Sequence, residues 1–275
     1  MNVFSLLITT PLGYILSAIY SLVQNYGIAI LVFTLVVKLL MMPLIAKQQK
    51  SMRQMQKVQP LLEKAQKKYA NDKQKLQQET VKIYQENNVS PAGGCLPLLI
   101  QFPIIIGLYQ VITKPLQYIL HIDTEVIKKI AEVLSMDSTR TSQITIANAI
   151  TENAALIQEK VGVAVEALNF DFFGLNLSMT PDIKFISWLW IIPILSAITS
   201  YVVAIISKNL SGNTSAANEQ MKTMNIIMPL MSGYFCFIMP AGVGIYWIAS
   251  NIMQVLQQTI LTAYYKRKEE KENNE

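Results

Sequence analysis

Residues 223–265 read TMNIIMPLMSGYFCFIMPAGVGIYWIASNIMQVLQQTILTAYY, 43 consecutive residues without a charge. At about 1.5 Å per residue, a single helix of that length would run to about 64 Å, twice the roughly 30 Å of a bilayer's hydrocarbon core. The stretch must fold back. Pro240-Ala241-Gly242 marks the place, because proline interrupts a helix and glycine permits a tight reversal. Two antiparallel helices over 223–239 and 243–263 follow. Three further charge-free runs, 1–37, 92–113 and 185–207, extend the pattern. Of all 275 residues 15% are charged and 52% apolar, and the mean hydropathy is +0.32. Soluble domains usually carry about 25% charged residues, so soluble, disordered and disulfide-framework classes are excluded. The expected fold is an all-α polytopic membrane protein.

Spans at 27–46, 92–113, 185–207, 223–239 and 243–263 make five crossings, which puts the termini on opposite sides. Lys and Arg in the connections set the direction. Segment 47–91 holds ten of them in 45 positions, whereas the longer loop 114–184 holds six. Segment 208–222 adds Lys208 and Lys222, and the tail 264–275 carries Lys266-Arg267-Lys268 near its start. These three segments are expected in the cytoplasm, with the N-terminus and loop 114–184 outside. The pI near 9.0 then reflects basic segments beside anionic lipid headgroups, a better fit than sequence-specific nucleic-acid binding.

Segment 1–26 lacks the basic start and the clear cleavage site of a signal peptide and is expected to be retained. Thr10-Pro11 has the form of an N-cap followed by proline in the first turn. Leu12, Ile15, Leu16, Ile19 and Val23 then share one side, which suits a helix lying on the outer membrane surface. In 47–91, Met52, Met55, Val58, Leu62, Ala65 and Tyr69 recur at helical spacing. Asn71-Asp72 supplies a turn, and Leu76, Thr80, Ile83 and Tyr84 continue on a second helix. A basic, Met-lined helical hairpin is expected, with Pro60 bending or restarting its first helix. Loop 114–184 should hold a helix over 143–168, with Ile146, Ile150, Ala154, Ile157, Val161, Val165 and Leu168 on one face. His121, the one histidine, has no Cys/His cluster around it for a metal, and Cys95 and Cys236 read as buried, unpaired thiols.

Lys38 is the sharpest feature. It lies nine residues before Lys47, roughly 13 Å inside the cytoplasmic edge of its span. A lysine near a bilayer centre costs about 2.5–3.5 kcal/mol on insertion scales, so such residues face protein or water. The other interpretation, snorkelling toward the interface, is less suited to this depth. No span contains Asp, Glu, Arg, His or a second Lys. Polar groups must then solvate the charge, and Thr34, Gln101, Ser250, Asn251 and Gln254 are the candidates. The missing acids weigh against a proton-coupled transporter. No H-E-x-x-H, G-x-S-x-G or phosphate-binding glycine loop points to an enzyme, and nothing calls for a nucleotide or metal.

Lys47-Gln48-Gln49-Lys50-Ser51-Met52 with Gln59-Pro60, the run from Ser90-Pro91-Ala92-Gly93-Gly94-Cys95 through Gln101-Phe102-Pro103, and Pro240-Ala241-Gly242-Val243-Gly244-Ile245-Tyr246-Trp247 continuing to Asn251 resemble the YidC-type membrane protein insertase family. The similarity spans about residues 11–267, in the short form seen in Gram-positive bacteria. It implies five core spans in a bacterial plasma membrane around a hydrophilic groove open to the cytoplasm and lipid. The implied function is non-enzymatic insertion and chaperoning of nascent membrane proteins with short or acidic outer tails, alone or with the Sec translocon, some clients arriving from ribosomes. By motif position Lys38, Thr34, Gln101, Tyr246 and Trp247 resemble client-contacting residues. Lys38 stands where the family usually has arginine, which keeps the charge and loses the planar, multi-donor guanidinium. A small-molecule or ion transporter using the same polar cavity is the alternative.

Overall fold

The computed structural model describes residues 4–89, 96–182, 184–211 and 218–274. The chain divides into two compact units, one of residues 1–37, 102–197 and 231–250, the other of 38–101, 198–230 and 251–275.

In the first unit the chain is helical from Ser5. A wide π turn over Ser5–Thr9 runs into α1, Thr10–Val23. Thr10 itself has helical dihedrals (φ −65°, ψ −49°) and continues a helix begun at Ser5, so it is not the N-cap expected of it. Pro11 explains the π turn: it has no N–H for the carbonyl of Leu7, and the wider turn passes the hydrogen bond from the Thr10 N–H to Ser5. On the expected apolar side of α1, Leu16 is buried and Leu12, Ile15, Ile19 and Val23 are partly buried. Leu16 and Tyr20 are buried with Gly13, which abuts Tyr118, and Ser17 Oγ donates to the Ile119 carbonyl at 2.8 Å. Leu6, Leu7, Tyr14 and Leu22 are the exposed apolar residues, and Ser5–Val23 is also long and apolar enough to cross a membrane.

Gln24, in the left-handed conformation, and Asn25 turn the chain into α2, Tyr26–Leu40. Tyr26, Ala29, Ile30, Phe33, Thr34 and Val37 are its buried stripe. The Tyr26 hydroxyl donates to the Ile112 carbonyl of α5, Leu96–Thr113. Segment 114–184 opens with α6, Pro115–Tyr118, then α7, Thr124–Val133, and α8, Gln143–Val161. Asp123 and Ser142 cap α7 and α8 by accepting from Glu125 N and Thr145 N. Ile127, Ile130 and Ala131 of α7, and Ile144, Ile146, Ala147, Ile150 and Ile157 of α8, are buried. The helix expected to reach 168 stops at Val161, because Gly162 (φ 74°) takes the left-handed C-terminal position and Val163 to Glu166 then alternate in exposure with a period of two. A two-stranded hairpin follows, β1 Asp171–Phe172 with β2 Leu175–Asn176, turned by Phe173-Gly174 at φ 53° and 79°. It is the only sheet among the described residues.

After a 3₁₀ turn at Trp188–Trp190 come α9, Ile191–Ser211, α10, Asn218–Ile238, and α11, Ala241–Asn274. The reversal at Pro240 is made without a left-handed glycine. Gly242 is needed for space instead: a Cβ there would lie 2.9 Å from the Tyr26 ring. The backbone N–H groups of Ala241 and Gly242 donate to the carbonyls of Met179 and Leu177, at 2.8 and 2.9 Å.

In the second unit α3, Met42–Lys68, and α4, Lys73–Glu86, form the expected hairpin. Val58, Leu62 and Ala65 pack with Ile83 and Val89, flanked by Met55, Leu76 and Tyr84. α3 runs through Pro60 without restarting, and the exposed ring leaves the packed stripe on the other face. Helix α2 ends at Leu40, short of the expected 46, because Pro43 interrupts the hydrogen-bond ladder where α3 begins. Asp72 caps α4 by accepting from Lys75 N at 3.0 Å. Asp72→Ala should weaken α4 by about 1 kcal/mol, visible as faster amide exchange in its first turn with α3 unchanged. Equal exchange in both proteins would show that the cap contributes nothing.

Candidate functional site

Lys38 lies in the last turn of α2 and is 6% exposed, so its charge is held inside the protein. Within the same unit its backbone carbonyl accepts from Gln257 Nε2 at 2.7 Å, and Gln257 is itself 3% exposed. Gln257 was not among the residues expected from sequence. The signal that could have found it is the run of amides Asn251, Gln254, Gln257 and Gln258, unusually polar for a helix in a charge-free stretch.

Two other amides of α11, Asn251 and Gln258, are also engaged in this unit. Asn251 Nδ2 donates to Thr199 Oγ1 at 3.0 Å and Ser200 Oγ at 2.8 Å, and Gln258 Nε2 donates to Ser207 Oγ at 3.1 Å. Toward its charged end α11 meets the root of α3. Gln49 Nε2 donates to Thr262 Oγ1 at 3.0 Å, Arg53 to the Thr262 carbonyl at 3.1 Å, and the Tyr265 hydroxyl to the Ala46 carbonyl at 3.1 Å. The Arg53 guanidinium lies 5.0 Å over the Tyr265 ring. One helix thus carries a polar stripe from Asn251 to Tyr265.

Three expected residues belong to the first unit. Thr34 is buried and its hydroxyl donates to the Ile30 carbonyl at 2.6 Å, so that group serves its own helix. Tyr246 is buried, with a hydrogen bond between its hydroxyl and Ser250. Trp247 is half-buried and stacks on Phe235, centroids 6.3 Å apart and planes 18° from parallel. Gln101 lies in α5, but its side chain is outside the described residues, as are Ser90 to Cys95 of the motif.

Chemically, the two sets supply a buried cation, amides, hydroxyls and aromatic faces. They can solvate and orient a polar segment. Among the described residues no group of three His, Cys, Asp or Glu side chains is placed to hold a metal ion.

A family model described as 60Kd inner membrane protein matches residues 18–269. A protein named membrane protein insertase YidC from Caldanaerobacter subterraneus subsp. tengcongensis is 32% identical over 250 residues, 90% of this chain and 91% of that one. One of the same name from Clostridium perfringens is 31% identical over 278 residues, covering 100% of this chain and 94% of its own. A third, membrane protein insertase YidC 2 of Listeria innocua, is 32% identical over 270 residues, 96% of this chain and 74% of that one.

Proposed function

We propose, for a chain that belongs to the 60Kd inner membrane protein family, that it inserts integral membrane proteins into the cell membrane and helps them fold there. Relatives named as membrane protein insertases, matched over nine-tenths of their length, support the reading. The observation that carries its mechanism is Lys38, a buried cation that is the only charge in its helix, in a chain whose expected spans hold no acid.

The client is a nascent membrane protein with a short or acidic outer tail. Bringing that tail into hydrocarbon is the unfavourable step, because polar groups lose water without gaining partners. Lys38 and the amides of α11 offer partners part-way, in a hydrophilic groove that shortens the remaining apolar path. Thr34, Gln101, Tyr246 and Trp247 contact the client by the same reading. Lys38 attracts the acidic tail transiently, since no fixed carboxylate in the spans neutralises it, and a charge counts for more at low dielectric than at the surface. The client's apolar helix then leaves into lipid, driven by burial of its hydrocarbon surface at about 25 cal/mol per Å². No bond is made or broken, and the reading needs no cofactor.

We read five crossings from the charge-free runs and, from the basic segments, an N-terminus outside with α3, α4 and the C-terminal end of α11 in the cytoplasm. In that orientation the hairpin recruits clients, and its basic surface suits a ribosome or the Sec translocon as a partner. Purified protein in liposomes should insert a single-spanning client with an acidic tail, scored by protease protection of that tail. Solute flux without insertion would favour a transporter, and cleavage products would show a protease.

A further inference from the structure

Gln257 is deeply buried, yet only half of its amide is engaged among the described residues. Nε2 donates to the Lys38 carbonyl at 2.7 Å, while the buried Oε1 meets no donor there. The carbonyl it serves lies at a break. α2 ends at Leu40, α3 begins at Met42, and Pro43 falls in its first turn. Proline has no N–H, so the carbonyl of Leu39 has no donor four residues on, and the turn that carries Lys38 loses part of its helical ladder. Gln257 supplies a side-chain donor to that turn from a residue 219 positions away.

A half-used buried amide is unfavourable, and methionine would fill the same length without it. The glutamine offers what methionine does not, a fixed donor beside the loosened turn. We propose that Gln257 is a positioning residue for Lys38. By holding the Lys38 carbonyl at the broken end of α2, it sets the depth and direction in which the ammonium group is presented to an acidic client tail. The inference rests on the electrostatic reading of Lys38 given above.

Two single-spanning clients, identical except for aspartates or asparagines in the outer tail, separate the possibilities in proteoliposomes carrying the full chain. The readout is the ratio of acidic-tailed to neutral-tailed insertion, which a merely structural role would leave unchanged. Gln257→Met should lower that ratio about fivefold or more, with the neutral-tailed client inserted near the wild-type rate. Lys38→Met should lower it similarly, and the double variant should lose little more. Should the methionine variant not assemble, Gln257→Asn, which keeps the amide and shortens its reach, decides: a lowered ratio supports the assignment and an unchanged one overturns it. An unchanged ratio for Gln257→Met, or equal loss for both clients, also overturns it. If Lys38→Met lowers the ratio and Gln257→Met does not, only the positioning role falls. If Lys38→Met leaves the ratio unchanged, the electrostatic reading falls and takes this inference with it.

Discussion

Lys38→Glu should reduce insertion of an acidic-tailed client by about tenfold or more, while Lys38→Arg stays close to wild type. Two unit charges 4 Å apart interact by about 1 kcal/mol in water and about 4 kcal/mol at the effective dielectric of a partly dry site. Replacing the cation by an anion converts that attraction into a repulsion of similar size. About 1.4 kcal/mol corresponds to a factor of ten, so even a well-hydrated encounter gives a measurable loss. The arginine variant keeps the positive charge and adds donors. A neutral-tailed client provides the internal control, because its insertion does not draw on the attraction. Equal insertion of the acidic-tailed client by Lys38→Glu and the wild type would remove the electrostatic step from the mechanism.

Gly244→Ala should lower the melting temperature in detergent by about 5 °C or more. A Cβ at Gly244 would lie 2.3 Å from Ile192 Cγ2, and Cys236 Sγ stands 3.5 Å away on another side. Ile192 is buried and β-branched, with one preferred χ1 rotamer in a helix, so it cannot swing clear. The neighbouring backbone must move instead. Overpacking of this kind costs about 1–3 kcal/mol, and each kcal/mol shifts the midpoint of a chain of 150–250 residues by about 2–4 °C. Gly244→Ala combined with Ile192→Ala should recover part of the loss, since the second change removes the atom that the first one strikes. A double variant less stable than the sum of the single ones would show that the close approach is not what makes glycine necessary.

Much of the fold was legible because membrane helices declare themselves by missing charge. The paired stripes of the hairpin, Val58, Leu62 and Ala65 with Ile83, were legible because 3.6-residue spacing survives in a polar background. The end of α8 was not. Val161, Val165 and Leu168 continue a helical spacing by chance, but Gly162 ends the helix, and Val163 and Val165 fit an alternating pattern equally well. Thr10-Pro11 satisfies the usual rule for a helix start, whereas the chain absorbs that proline by widening the preceding turn.

At the candidate site, Lys38 was evident as the lone charge of its span. Gln257 was not, because which of four amides on α11 meets the end of α2 depends on packing between segments more than two hundred residues apart. Thr34 lies one helical turn before Lys38 in sequence, but its hydroxyl turns back onto its own helix. Spacing puts a residue on a face; it does not say where the hydrogen bond goes.

The segment between α8 and α9 also bears on how this chain comes to be assembled. The carbonyls of Leu177 and Met179 receive the first free N–H groups of α11, at Gly242 and Ala241. On a ribosome the acceptors leave the exit tunnel some sixty residues ahead of the donors. The final helix therefore meets, on arrival, a template already made by earlier sequence. Because that template is main chain, substitutions at Leu177 or Met179 leave its acceptors in place, whereas deleting either residue shifts them out of register.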